Sequence, residues 1–184
     1  MPEIDREWDL EWQAAEFPVR VDSTYLPAMS GEARKHYQVT VGDATFAGSV
    51  AVVTARDTGR MLLVRHERIR IGKTLWELPR GMADLDDPDP VATALRELHE
   101  ETGIRASAGK NLGMIYPDSG FLTSQVAVVR IFIDYEGDAV DNSDGEVEGH
   151  GWFSVEDVHA LVSAGELRDA ISLGALAVVA TDQR

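Results

Sequence analysis

Apolar positions form short β-like runs up to about Pro79 and only then take up a helical period. Val19 and Val21 alternate with Arg20 and Asp22, which predicts a short strand, and His36–Val41 predicts a second. Gly48–Thr54 is a nearly continuous run rich in β-branched residues. Asp57–Thr58–Gly59 then supplies a turn and Met61–Val64 a second apolar run, so the pair reads as a buried β-hairpin. Leu75–Pro79 predicts a short strand that ends at Pro79–Arg80–Gly81, and the acidic, proline-bearing stretch Asp84–Pro90 is a loop. Within Pro90–Thr102, Val91, Leu95 and Leu98 recur at i, i+4 and i+7, with Asp89 as N-cap, Pro90 at the first helical position and Gly103 as the stop. Val126–Asp134 is a core strand, Asp138–Gly149 an acidic loop and Trp152–Phe153 a short strand. Ser154 opens a helix toward Ala164, and the almost wholly apolar stretch from Asp169 to Ala180 predicts a buried final helix. Strands, a helix, further strand segments and two helices in that order give an α/β (α+β) domain over 46–184. Residues 1–45, with Trp8, Trp12 and Phe17 near their start, form a short β-rich extension too small to bury much surface alone.

Composition narrows the function. The chain has 184 residues, 17 Lys+Arg against 32 Asp+Glu and a formal charge of −15, which disfavours binding to nucleic acid or to an anionic membrane. There is no apolar run long enough to span a bilayer and no signal-like start, so a cytoplasmic location is expected. The absence of cysteine removes disulfides, thiolate zinc sites and cysteine nucleophiles together. An anionic substrate would need a metal ion or a local set of arginines to offset the repulsion.

The chemistry concentrates in Arg96–Glu97–Leu98–His99–Glu100–Glu101–Thr102–Gly103–Ile104. At a helical pitch measured from Val91, Glu97, Glu100 and Glu101 fall together at roughly 180–280°, beside the apolar stripe. Glu97 and Glu101 are a like-charged i,i+4 pair, and negative charge in a last turn opposes the helix dipole. A solvated acidic face is one outcome. A divalent cation is the other, since Mg²⁺ prefers a few carboxylates together with phosphate oxygens.

Gly81 followed by Arg96–Ile104 resembles the Nudix box, G-x5-E-x7-R-E-U-x-E-E-x-G-U with U apolar. The right half matches at every defined position. The left half departs: Asp87 stands where the first Glu is expected, and eight residues rather than seven separate it from Arg96, so a longer loop and a changed anchoring contact are expected. Leu63–Val64–Arg65–His66–Glu67–Arg68, Trp76–Glu77–Leu78–Pro79–Arg80–Gly81 and Tyr116–Pro117–Asp118–Ser119–Gly120–Phe121 are similar to the ADP-ribose pyrophosphatase branch of that family, as is the ending from Trp152 to Ala180.

That resemblance implies an α/β/α sandwich with a mixed sheet and a Mg²⁺-dependent hydrolase, with Mn²⁺ as an alternative ion. The implied substrate is a nucleoside diphosphate-linked sugar, first of all ADP-ribose going to AMP and ribose 5-phosphate. It implies Glu97 and Glu101 as principal metal ligands, Glu100 as a further ligand or catalytic group, and the main-chain carbonyl of Arg80 as a ligand. Arg68 and Arg80 are implied to bind substrate, and Arg96 to orient glutamates. The general base is expected on the late acidic loop at Glu146, with Asp144 and Glu148 behind it. Trp76 could stack on a base but more simply packs in the core, and His66 and His99 read as surface or packing residues. A homodimer using residues 1–45 is also implied. The competing readings are a hydrolase of modified nucleoside triphosphates and a non-catalytic nucleotide sensor.

Overall fold

The computed structural model describes residues 7–29, 31–134, 136 and 147–182. They fall into two compact units, one of Met1–Ala47 with Tyr116–Gln125, the other of Gly48–Ile115 with Val126–Arg184.

In the first unit, β1 (Asp9–Gln13), β2 (Val19–Pro27) and β3 (Ala33–Val41) form an antiparallel sheet in that order. Residues 116–125, which include the segment Tyr116–Phe121, belong to this unit. Val41 N–H donates to Ser124 Oγ at 2.7 Å, and the Thr40 and Thr123 hydroxyls lie 2.7 Å apart.

The second unit holds the larger sheet, made of β4 (Gly48–Ala55), β5 (Met61–Arg68), β6 (Lys73–Glu77), β7 (Arg80–Met82), β8 (Lys110–Ile115), β9 (Val126–Ile133) and β10 (Val147–Phe153). Its spine runs β10-β5-β4-β9-β8, with β6 on β5 and β7 on β4. β4 and β9 are parallel along their whole length, from Gly48↔Val126 to Ala55↔Ile133, while the other pairings in this sheet are antiparallel. The sheet is therefore mixed.

β4 is buried on both faces, which explains its unbroken apolar run. Val50 and Val52 pack with Leu63, Leu78, Val158 and Ala175, under α2 (Val155–Ala164) and α3 (Ala170–Thr181). Ala51 and Val53 point the other way and pack with Leu62, Ala94 and Leu98 of α1 (Pro90–Thr102). Period-two alternation along one strand thus divides helices between two faces and yields the α/β/α sandwich.

Three expectations need correction. The predicted hairpin joins at Thr54↔Met61, but the start of β4 pairs with β7 instead, so the two strands splay and admit Arg80–Met82. The acidic loop ends earlier than Gly149, because β10 begins at Val147 where it meets His66 of β5. The final helix is not buried throughout: only Ser172 and Ala175 are, since α3 covers the sheet with one side and leaves Leu173 exposed. The sequence pattern predicts a turn at Pro79–Arg80–Gly81 where β7 pairs with β4, and predicts neither β1 nor β8. Their sequences, DLEWQ and KNLGMI, carry no clean alternation, and β8 is irregular between Asn111 and Gly113.

Candidate active site

Helix α1 starts where Asp89 accepts hydrogen bonds from Val91 N (2.8 Å) and Ala92 N (2.9 Å), with Pro90 in the first turn. It stops at Gly103, whose φ of 70° a side chain would disfavour. Both caps follow from local sequence. Tertiary packing then sorts the three glutamates. Glu101 is buried beside Leu98, the Glu97 side chain is 13% exposed, and that of Glu100 is 45% exposed.

Arg96 organises this end of the site. Its Nη1 donates to Glu97 Oε1 and Glu100 Oε2, both at 2.8 Å. Its Nη2 donates to Asp87 Oδ2 (2.9 Å) and to the Met82 carbonyl (2.7 Å). Burial opposes the guanidinium charge, but the hydrogen bonds it donates to Asp87, then the charge and acceptor of Glu97 and that of Glu100, hold its pKa above the usual arginine value. Asp87 also accepts from Thr93 Oγ1 at 2.9 Å and from Asp84 N at 3.0 Å. The longer loop therefore still delivers a carboxylate to Arg96.

Burial raises the pKa of Glu97, opposed by Arg96 and reinforced by Glu100 and Asp84. Burial raises Glu101 well above the usual carboxylate range, and the neighbouring Glu97 charge adds to it. The main-chain N–H of Arg80 reaches Glu101 Oε2 at 3.3 Å and partly relieves the charge. Gly81 makes room for this arrangement: a Cβ there would stand 2.1 Å from the Glu97 carboxylate carbon. Among the described residues no group of three or more His, Asp and Glu side chains converges into a closed metal cage. Glu97 and Glu101 supply two poorly hydrated, mutually repelling carboxylates, a hard-oxygen donor set that suits an ion keeping most of its shell for water and phosphate. The residues fit Mg²⁺ on that chemistry.

Beside the glutamate helix lies a cavity of about 520 Å³. Arg68, Arg70, Arg80 and Arg168 line it, against the carboxylates of Glu67, Glu77 and Asp169. On a chain of −15 this is a local concentration of positive charge. Arg68 stands at the end of β5, and its Nε and Nη2 meet Glu77 Oε1 and Oε2 at 2.9 and 2.5 Å. Arg80 Nη2 lies 3.0 Å from Glu77 Oε2 and 3.2 Å from Asp169 Oδ1. Asp169 caps α3 by accepting from Ser172 N and Ser172 Oγ, and that buried hydroxyl also accepts from Leu78 N at 3.0 Å.

The structure thus brings Arg68, Arg80, Glu97 and Glu101 together through the segment Glu77–Gly81. Glu100 stands apart on the exposed side, against Arg96. Glu148 sits at the irregularity between Val147 and Gly149, 3.6 Å from Arg65 Nε, while Glu146 and Asp144 lie outside the described residues. Trp76 stacks edge-on against Phe153, with centroids 4.8 Å apart, and joins the core. His66 is buried on the cavity wall, with Nε2 3.0 Å from Arg68 Nη1. Glu77 and Asp169 received no role from the sequence. A usable signal existed for Glu77: strand parity puts it on the same side as buried Leu75, and a buried charge demands a partner.

A model of the NUDIX domain matches residues 45–172, and the chain belongs to the Nudix family. It is 33% identical over 140 residues to a protein of Mycobacterium tuberculosis named ADP-ribose pyrophosphatase, spanning 71% of this chain and 64% of that one. It is 30% identical over 128 residues to a Bacillus subtilis protein of the same name, spanning 67% and 66%. The matches therefore cover just under two thirds of these relatives' own length. A solved structure described as an ADP compounds hydrolase superposes with a TM-score of 0.72 at 17% identity, over 95% of this chain and 90% of that one, which shows a shared fold. No helix among the described residues is long and apolar enough to cross a membrane.

Proposed function

We propose that this protein is a Mg²⁺-dependent pyrophosphohydrolase of nucleoside diphosphate-linked sugars, with ADP-ribose, cleaved to AMP and ribose 5-phosphate, as its first substrate. The observation that carries the reading is the junction at Arg80. Its main-chain N–H meets Glu101 of the cation-holding pair, while its side chain lines the arginine cavity. Carboxylates suited to a divalent ion and guanidiniums suited to phosphate are thereby joined through one residue. The two relatives' names point to the same substrate.

Glu97, Glu101 and the Arg80 carbonyl are the groups assigned to hold Mg²⁺, with Glu100 contributing directly or through water. When bound, such an ion neutralises diphosphate charge and acidifies a water. The chain's own residues do the rest. Arg68 and Arg80 bind and orient phosphate oxygens, Arg96 fixes Glu97, and Glu146 is assigned as the base that removes the proton from the attacking water, with Asp144 and Glu148 as its alternates. Water attacks one phosphorus, the bridging P–O bond breaks, and both products leave as phosphate monoesters.

The test is a screen of ADP-ribose and other nucleotide sugars with Mg²⁺, Mn²⁺ or chelator, following AMP release. Metal-dependent AMP formation from ADP-ribose is the expected result. Turnover of modified nucleoside triphosphates alone would replace the substrate, and binding without any cleavage would replace the class with a sensor. Two copies are also inferred to associate: Leu10, Trp12, Phe17, Tyr25 and Tyr37 all lie exposed in the first unit, and light scattering at a dimer mass is the expected result.

A further inference from the structure

Glu77 lies at the end of β6, opposite Val64 in the register, and is 1% exposed. A buried carboxylate is tolerated only when its charge is matched and its lone pairs are occupied. Here the matching is double. One oxygen takes Arg68 Nε, and the other takes Nη2 of both Arg68 and Arg80. The two guanidiniums come from different strands and would repel each other if left alone. With the carboxylate between them they lie side by side on the cavity wall, and their side chains stay 26% and 21% exposed. Asp169 holds Arg80 from a second direction, and its own position is fixed by buried Ser172. Each guanidinium has five N–H donors, more than these partners consume, and Arg80 Nε has no acceptor among the described residues.

We propose that Glu77 is a positioning residue, whose buried carboxylate fixes Arg68 and Arg80 in advance as one paired receptor for the oxygens of a diphosphate, with Asp169 bracing the second arginine. Flexible arginines must be ordered when an anion arrives; these two are ordered beforehand. The inference rests on the reading of the cavity as a diphosphate site, yet it can be tested apart from turnover.

The probe is inorganic pyrophosphate, titrated calorimetrically in chelator so that the arginines are read without metal, in the wild type and in E77Q. E77Q keeps the volume and removes the charge. Its Kd for pyrophosphate should weaken about tenfold or more, and KM for ADP-ribose should rise in parallel with kcat within about threefold, the signature of lost ground-state binding. A folded E77Q with unchanged pyrophosphate affinity overturns the proposal, as does a fall in kcat with KM unchanged. If the wild type cleaves no nucleotide sugar, the functional reading fails, and the pyrophosphate titration still decides the role of Glu77. If E77Q does not fold, arginine-selective ¹⁵N spectra of the wild type decide it. Two sharp, slowly exchanging Nε–H signals in the free protein that shift with pyrophosphate support the proposal; signals that sharpen only on adding pyrophosphate overturn it.

Discussion

Asp87 holds Arg96 with one oxygen shared between two nitrogens, 2.9 Å from Nη2 and 3.3 Å from Nε. The carboxylate is shorter than the glutamate usual in this position of the box, and the loop behind it is longer by one residue. The extra backbone brings Asp87 to the same guanidinium that fixes Glu97 and Glu100, so anchoring is kept while its geometry changes.

Removing that anchor should loosen the helix end. D87A strips Arg96 of its main acceptor and leaves Thr93 Oγ1 without its partner, and it should cost about 1–3 kcal/mol of stability in urea unfolding. Mg²⁺ affinity should drop about 10–100-fold, as for the loss of a group that orients a ligand. Unchanged Mg²⁺ affinity would separate Arg96 from the metal assignment.

Acid should reveal the same contact. The hydrogen bond from Arg96 holds the Asp87 carboxyl below its usual range, against a smaller opposing effect of burial. A depressed folded value means the stabilisation is fully present above the unfolded value of about 4 and fades as pH falls through the folded one. D87N should therefore flatten the loss of stability on the acid side. Parallel pH–stability curves for D87N and wild type below about pH 4 would contradict it.

Glu101 has the opposite sign. Its folded pKa is raised, so ionised Glu101 costs stability at neutral pH, and that cost fades as pH falls through the raised folded value. E101Q should be at least as stable as the wild type in chelator, and inactive with Mg²⁺. Mg²⁺ at a hundred times its Kd should stabilise the wild type by about 2.7 kcal/mol and leave E101Q unmoved. A thermal shift of equal size in both proteins would place the ion elsewhere.

Two glycines distinguish site from scaffold. At Gly81 the atoms nearest an added Cβ belong to the far end of the Glu97 side chain, which can swing aside at the cost of its Arg96 contact, so G81A should fold within about 1 kcal/mol of wild type while losing about 10–100-fold in Mg²⁺ affinity. At Gly48 a Cβ would stand 2.1 Å from the Gly81 carbonyl oxygen and 2.9 Å from Met82 Cα, both backbone, so G48A should destabilise by about 1–3 kcal/mol or more. Circular dichroism melts alongside Mg²⁺ titration separate the two. Equal melting temperatures would show that β4 and β7 have room to part.

Legibility followed locality. The limits of α1 and α2 could be read because Asp89, Gly103, Ser154 and Gly165 act on backbone groups within a turn of themselves. β8 could not, since a glycine-bearing strand owes its existence to the edge of β9. Nor could the edge of burial on α1: Glu101 lies at the border of the Leu98 stripe, and only the packing of α1 on the sheet decides that it is covered.

The sequence by itself determined a capped helix bearing Glu97, Glu100 and Glu101 on one side, because a helix converts spacing into direction without outside help. Only the tertiary structure decided that Glu97 and Glu101 are sheltered while Glu100 is not. It also decided that Glu77 and Asp169 share Arg80, and that Asp87 still reaches Arg96. Those facts depend on charges brought together across β6, β7, α1, the loop before α1 and the start of α3. Their free energy is set by partners and by the loss of water on packing, and neither is written in any single stretch of chain.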